Sequence, residues 1–312
     1  MNSIERNPYQ LGPMEYKEYL SDLNDSYLRE TRQKLLPIEN FLIQRDLCAI
    51  VIGSDGKKER HPQSKIEVMY VQSEGKGDII TPSVIASTFI ETTGKRYSDV
   101  FDVEINGSPV SARIGTDVLS YVLGDQNRIY PDRILNSRFV LGDQDIHKKA
   151  KRTVLEEMNM DILRRKIRKA MNEQSSRHLK SCITGISRGE TCFDEHNQFY
   201  DERNKPGKFG FKHAFVRLVQ RKLDLRTQEL MKEGQMTIEE MSCLPTNTAD
   251  KLMFFKSYNQ DTPAAYLWFL QRYHELQEVY KARRDLSALD FDSYDFRQCS
   301  EIILRNWQKQ NV

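Results

Sequence analysis

The apolar residues of this chain change their spacing twice along the sequence, and this change limits the folds available to it. They recur at helical spacing between about residues 13 and 44, and again from about residue 144 to the C-terminus. Between these stretches lies a short, continuous apolar run, Leu47–Ile52, which is typical of a strand buried on both faces. Helical segments on either side of a strand-containing region predict an α+β protein.

A second strand and a helix are predicted after this run. Residues 65–71 alternate between apolar and other side chains, which places Glu67 on the more polar face of the strand. A helix is predicted from Pro82 to Thr92, because a proline is favoured in the first turn of a helix.

A β-hairpin is predicted over residues 101–114. The two flanking segments alternate, and Asn106-Gly107 lies between them, a pair favoured in type I′ hairpin turns. The same alternation places Asp102 and Glu104 on one face of the first strand.

The change in spacing divides the chain into three predicted domains. Residues 1–44 form an N-terminal helical extension, residues 45–143 a small α/β domain, and residues 144–312 an all-α helical bundle. The helices predicted in the third domain cover residues 144–184, 211–234, 248–257, 263–284 and 293–309.

Charge and cysteine content narrow the class of protein. The formal net charge of +2 is too balanced to indicate a nucleic-acid partner. The five cysteines form no C-x-x-C pair, which argues against a disulfide scaffold or a structural zinc site and fits a reducing compartment. The N-terminus is too polar for a signal peptide, and the run at Leu47–Ile52 is too short to span a bilayer. We therefore expect a cytoplasmic protein that does not enter a membrane.

The stretch that begins at Gly53 holds the residues best suited to chemistry. A strand ends at Gly53, where the missing β-carbon lets a phosphate group approach the backbone. Ser54 offers a hydroxyl and an amide, and the amides of such a turn form an anion-binding concavity. The next strand is expected to bring Glu67 close to this turn. The pattern indicates a site for the phosphates of a nucleotide.

Carboxylates on neighbouring strands can hold Mg²⁺ or Mn²⁺ against a triphosphate. Glu67 supplies one of these carboxylates, and Asp102 and Glu104 are the candidates for the carboxylate on the neighbouring strand. The choice between these two stays open, because strand register is weakly determined by sequence. Both could instead face solvent, with Asp102 paired to Arg113 in an exposed ion pair worth about 0–1 kcal/mol.

This motif resembles that of nucleotidyltransferases of the DNA polymerase β-like superfamily. It is most similar to the DUF294-type proteins, which are related to glutamine synthetase adenylyltransferase and PII uridylyltransferase. Gly53-Ser54 matches the Gly-Ser of the family, Glu59 its glutamate and Ser64 its serine or threonine, while Lys57 takes the usual arginine position. The resemblance implies a small mixed-sheet catalytic domain followed by a helical domain.

The carboxylate pair of the family is incomplete in this chain. Glu67 takes the second carboxylate position, but the first falls at Lys65, and an ammonium cannot ligate a metal ion. Three explanations remain open. The chain is an inactive relative; or the metal site is rebuilt from Glu67, Asp102 and Glu104; or Lys65 contacts a phosphate directly in place of one metal ion.

Two later segments resemble further elements of the same family. Residues 136–143 resemble its Asp-x-Arg-x-Val-x-Gly-Asp segment, and residues 205–211 resemble a Lys-x-Gly-Leu element that opens a helix. Lys205 and Lys208 could reach the polyphosphate, or they could be solvated loop charges.

The resemblance implies a metal-dependent transfer of a nucleoside monophosphate from an NTP to a hydroxyl, with release of pyrophosphate. The named relatives modify proteins, which implies a protein acceptor. The alternative is a catalytically inactive protein of this fold that senses a nucleotide or binds a protein partner. The candidate nucleotide-binding residues are Gly53, Ser54, Lys57, Ser64, Lys65, Lys205 and Lys208, and the candidate metal-binding and catalytic residues are Glu67, Asp102 and Glu104.

Overall fold

The computed structural model describes residues 7–62, 66–73, 80–101, 111–114, 131–188, 215–255, 260–281 and 293–308. These residues are mostly helical and contain one small sheet, so the α+β class predicted from the sequence is confirmed.

Four strands form a mixed sheet in the order β3-β2-β1-β4. The strands are β1 (Leu47–Val51), β2 (Val68–Gln72), β3 (Ser111–Ile114) and β4 (Arg138–Gly142). β1 is antiparallel to both of its neighbours, β2 and β4, whereas β3 pairs with β2 in parallel. The sequence predicted strands at β1, β2 and β3, and the first strand and turn of the predicted hairpin, residues 102–110, lie outside the described residues. It did not single out β4, which contains an arginine and is only partly buried.

The helices of the described residues are α1 (Pro13–Leu35), α2 (Glu39–Gln44), α3 (Gly53–Gly56), α4 (Pro82–Thr93), α5 (Tyr97–Val100), α6 (Pro131–Leu135), α7 (Gln144–Asn159), α8 (Asp161–Arg188), α9 (Arg217–Lys232), α10 (Ile238–Ser242), α11 (Thr248–Phe254), α12 (Thr262–Lys281) and α13 (Ser293–Gln308). Short 3-10 turns lie at Pro8–Gln10 and Leu36–Ile38. Pro37 lies in the second turn, and it interrupts the helical path between α1 and α2.

The long helix predicted over residues 144–184 is two helices. α7 ends at Asn159, and Met160 adopts an extended backbone with ψ 133° before α8 begins. Asp143 caps the start of α7 by accepting a hydrogen bond from the backbone N–H of Asp145 at 2.8 Å. The other predicted helices of this region are found as α9, α11, α12 and α13, with bounds that differ by a few residues.

The central strands are buried along their whole length. All five residues of β1 are buried, as its continuous apolar run predicted. The five residues of β2 are buried as well, so the expected polar face of this strand is not found between Val68 and Gln72. One face of β2 packs with Phe89 of α4 in the main apolar core, and α7 packs against β1, β2 and β4.

Contacts between Cα atoms divide the chain into two compact units. The sheet unit comprises Leu20–Ala170 and Thr227–Asn247, and the helical unit comprises Met1–Tyr19, Met171–Arg226 and Thr248–Val312. Both units combine segments that are distant in sequence, whereas the predicted domains were continuous. The predicted domain boundaries at residues 44 and 143 describe functional domains, which the compact units do not test, so they stay predictions.

The helical unit has its own aromatic core. Phe215 and Phe269 stack with ring centroids 3.9 Å apart, and the Tyr16 hydroxyl is hydrogen-bonded to His274 Nδ1 at 2.8 Å. Tyr266 and Phe269 of α12 are fully buried, as expected for an apolar helical stripe.

Candidate functional site

The turn between β1 and α3 is the place where the sequence predicted a phosphate site. α3 begins at Gly53, whose φ of +63° lies in the left-handed region that favours glycine. The backbone N–H of Ile52 donates to the carbonyl of Glu67 at 3.2 Å, so the start of β2 lies beside the turn. A β-carbon added to Gly53 would lie 2.3 Å from Glu67 Oε2. The structure therefore brings Gly53 and the Glu67 carboxylate together, as the sequence led us to expect.

Ser54 is exposed at the start of this turn, while its neighbours are held by backbone hydrogen bonds. Its carbonyl accepts from the N–H of Glu59 at 2.8 Å, and the N–H of Gly56 donates to the carbonyl of Ile52 at 3.2 Å. A ligand can thus reach Ser54 without any rearrangement of the turn.

A second glycine, Gly56, allows the chain before β4 to approach the turn closely. A β-carbon at Gly56 would lie only 2.4 Å from the carbonyl oxygen of Asn136. From β4, Arg138 donates to the carbonyl oxygen of Asp55 twice, at 3.1 Å from Nε and 2.9 Å from its terminal nitrogen. Two segments that separately resemble the nucleotidyltransferase pattern are therefore in direct contact.

Asp55, which sequence reasoning did not select, is buried beneath the turn. Its Oδ2 accepts the backbone N–H of Glu67 at 3.2 Å, and its Oδ1 lies 3.3 Å from Nε of Arg60. Burial raises the pKa of the Asp55 carboxyl to about 7, although the positive charge of Arg60 and the Glu67 hydrogen bond act to lower it. Asp55 therefore links the turn, the start of β2 and a buried arginine.

Lys57 lies inside the fold. Its Nζ donates to Asp132 Oδ2 of α6 at 2.8 Å, and the two side chains are only 6% and 9% exposed. Asn247 Nδ2 donates to the Lys57 carbonyl oxygen at 3.3 Å. The sequence predicted that Lys57 binds the nucleotide. Its ammonium is instead paired with the buried Asp132 carboxylate, and the side chain supports the turn from the protein interior.

α1 supplies partners for the other cations that follow the turn. Asp25 bridges Lys58 Nζ at 2.7 Å and Arg138 at 2.6 Å through its two carboxylate oxygens. The guanidinium of Arg60 lies 4.2 Å from the ring centroid of Tyr27, within the range of a cation–π interaction. Many charged side chains therefore surround the turn, and most of the cations described here contact a carboxylate or an aromatic ring of the sheet unit.

The remaining predicted site residues lie outside the described residues: Ser64, Lys65, Asp102, Glu104, Lys205 and Lys208. Within the described ranges, no group of three His, Cys, Asp or Glu side chains is arranged to hold a metal ion. Of the three predicted metal ligands, Glu67 is the one that lies within the described residues, and its side chain is half-buried. One accessible carboxylate beside an exposed serine fits part of a Mg²⁺ or Mn²⁺ site, and Asp102 and Glu104 remain the candidates for the rest.

One sequence signal could have revealed the buried charges. Five of the six residues from Asp55 to Arg60 are charged, directly after a strand buried on both faces. Charges so close to a core need partners, because an unpaired buried charge is very costly. The partners themselves, Asp132 and Arg138, are too far away in sequence for this signal to identify.

Comparisons with known proteins assign no family to the chain. No family model matches it, and no curated protein matches it significantly. Among the described helices, none is long and apolar enough to cross a membrane. The arguments for function therefore rest on the turn and its neighbours.

Proposed function

We propose that this chain is a metal-dependent nucleotidyltransferase of the DNA polymerase β-like class. It transfers a nucleoside monophosphate from an NTP to an acceptor hydroxyl, which we expect to be on a protein. The observation that carries the proposal is the Glu67 carboxylate, which lies against Gly53 at the end of a buried strand and beside the exposed Ser54. The small mixed sheet and the contact between Arg138 and Asp55 also support it.

The residues of the turn have distinct roles in this proposal. Ser54 and the neighbouring backbone amides bind the polyphosphate, because amides and hydroxyls at such turns are good donors to phosphate oxygens. Glu67 holds Mg²⁺ or Mn²⁺ together with Asp102 or Glu104, and the metal ion supplies charge stabilisation for the triphosphate. One of the latter two carboxylates orients or deprotonates the acceptor hydroxyl.

The proposal is tested by thermal unfolding with ATP, GTP, CTP and UTP, each with and without Mg²⁺ or Mn²⁺. A ligand that binds only the folded state adds about 2.7 kcal/mol of stability at roughly 100 times its dissociation constant. We expect a metal-dependent rise in Tm with one nucleotide, and loss of that rise in Glu67→Gln. Glu91→Gln, at an exposed position of α4, is the matched control and should behave as the wild type. The absence of a shift with every nucleotide would refute the proposal.

A second candidate, a nucleotide-sensing or partner-binding protein without catalysis, is favoured by two lysines. Lys65 stands where the family carries a carboxylate, and Lys57 has its ammonium bound to Asp132 in the protein interior. In this case, binding of a nucleotide would raise Tm without any metal ion, and Glu67→Gln would not abolish the rise.

Lys65→Asp separates the two candidates, since it restores the carboxylate of the family. If Lys65 belongs to a working site, the substitution should lower transfer of label from an α-labelled NTP to acceptor protein, because it removes a cation from the polyphosphate. If the chain is an inactive relative, label transfer should be absent from the wild type, and its appearance in Lys65→Asp would demonstrate a decayed metal site.

The cytoplasm is the compartment that we propose for this activity. Cys48, Cys243 and Cys299 are free thiols among the described residues, as expected in a reducing environment.

A further inference from the structure

We propose that Asp55 is a positioning residue that holds the Glu67 backbone, and with it the Glu67 carboxylate, in place beside the Gly53 turn. The inference rests on the proposed function only in one respect, namely that Glu67 serves the nucleotide. The geometric part, the link between Asp55 and Glu67, stands on its own contacts.

One side chain joins two elements at the site. Asp55 lies in α3, and its Oδ2 accepts the N–H of Glu67, the residue immediately before β2, at 3.2 Å. Glu67 Oε2 in turn lies against Gly53, two residues before Asp55. Any movement of Asp55 relative to β2 therefore changes the distance between Glu67 and the turn that it faces.

Asp55 is itself held from two sides. Arg138 of β4 binds its carbonyl oxygen with two N–H groups, at 2.9 and 3.1 Å, and Arg60 lies 3.3 Å from Oδ1. Arg138 is anchored on its other side by Asp25 of α1 at 2.6 Å. Asp55 thus lies at a fixed point between β4, α1 and the start of β2.

The turn does not need the Asp55 carboxylate for its own conformation. Its backbone is already closed by the bonds from Gly56 to Ile52 and from Glu59 to Ser54. A buried carboxylate is costly, and replacing a buried ion pair with apolar groups is often neutral or stabilising. A carboxyl group at this buried place is therefore better explained by what it holds than by local stability.

The direct test measures hydrogen exchange at the backbone N–H of Glu67 in the full-length protein. Asp55→Ala removes the acceptor, so the exchange of this amide should accelerate by about tenfold, the factor expected for one hydrogen bond. Asp55→Asn retains an acceptor oxygen and should restore most of the protection. Unchanged exchange at Glu67 in Asp55→Ala would overturn the inference.

Leu42→Ala provides the control for general destabilisation. Leu42 is fully buried in the core of the same unit and lies outside the contacts described here. Its truncation lowers stability but should leave the exchange of the Glu67 amide in proportion to that of its neighbours. An equal, selective effect at Glu67 in Leu42→Ala would show that Asp55 has no special role.

A double-mutant cycle tests whether the link matters for the ligand. Asp55→Ala should weaken Mg²⁺-dependent binding of the nucleotide that raises the Tm of the wild type by about 10- to 100-fold, as is typical for groups that orient a metal ligand. The same substitution made in Glu67→Gln, whose weaker residual affinity is titrated at higher nucleotide concentration, should add little further loss, because Asp55 acts through Glu67. Additive losses would overturn the positioning role.

The two failures are distinguishable. If the wild type binds no nucleotide, the proposed function is wrong, while the exchange measurement still decides whether Asp55 holds Glu67. If the wild type binds any of the four nucleotides but Asp55→Ala changes neither the exchange at Glu67 nor the affinity, the inference is wrong and the proposed function stands.

Discussion

Two glycines, Gly53 and Gly94, share a left-handed backbone but differ in what surrounds them. Their φ angles are +63° and +69°. A β-carbon at Gly53 would meet the Glu67 carboxylate at 2.3 Å, whereas a β-carbon at Gly94 would meet nothing within 4 Å. Glycine is therefore required at position 53 for two reasons. It adopts the left-handed backbone, and its missing β-carbon leaves room for the Glu67 side chain.

This difference provides a matched pair of substitutions. Gly53→Ala and Gly94→Ala should each lower the free energy of unfolding by about 1–2 kcal/mol, the cost of a left-handed backbone in a residue other than glycine. Only Gly53→Ala should also abolish the nucleotide-dependent rise in Tm, because its β-carbon displaces Glu67. Urea unfolding measures the first effect and thermal unfolding with nucleotide the second. Retention of the nucleotide response in Gly53→Ala would count against a role for Glu67.

At the scale of elements, the docking of α7 near β4 depends on a buried histidine. His147 Nε2 is 2.8 Å from the hydroxyl of Ser137, the residue before β4, and its ring stacks near that of Phe139. Burial, together with the positive charge of Lys151, lowers the pKa of His147 from 6.5 to about 3. The ring is therefore neutral in the folded protein at pH values where the unfolded chain binds a proton.

Stability should consequently fall as the pH is lowered through the window from 6.5 to about 3. Within this window the contribution of His147 has a slope of up to about 1.4 kcal/mol per pH unit. His147→Gln removes this contribution, so its stability should depend less on pH than that of the wild type. Urea unfolding at several pH values measures the difference, with Lys149→Gln, at an exposed position of α7, as the control. Parallel pH profiles for wild type and His147→Gln would contradict the assignment.

At the scale of the whole molecule, the sheet unit continues beyond the boundary that the sequence suggested. It includes α7, whose buried apolar residues are Ile146, Ala150, Val154, Leu155 and Met158. α7 packs against β1, β2 and β4. A fragment that ends before this helix exposes the apolar surface that the helix covers.

We therefore expect residues 1–143 alone to lack a cooperative thermal transition, whereas residues 1–170, which retain α7, should show one. Each large apolar side chain that α7 buries is worth about 1.5–3 kcal/mol, a large fraction of the stability of a small domain. Circular dichroism in the near and far ultraviolet measures the transitions. A cooperative transition for residues 1–143 as sharp as that of residues 1–170 would show that α7 is dispensable.

Local pattern was sufficient for part of the fold and of the site. Helices could be predicted because their apolar spacing repeats every 3.6 residues, and β1 because its apolar run is continuous. The meeting of Gly53 with Glu67 could also be expected, since Gly53 follows β1 and Glu67 precedes β2, two strands that are close in sequence. Asp102 and Glu104 lie outside the described residues, so the choice between them as the second metal ligand stays open.

Only the tertiary structure decided which charges meet beneath the turn. Lys57 pairs with Asp132, 75 residues away, and Arg138 pairs with Asp25 across 113 residues. No local periodicity encodes such pairs, because they depend on how β4 and α1 pack around the turn. The same reason explains the burial of β2 on both faces and the inclusion of α7 in the sheet unit. Both result from packing between elements, as does the position of β4, whereas the sequence by itself predicted most of the helices, the strand β1 and the turn that follows it.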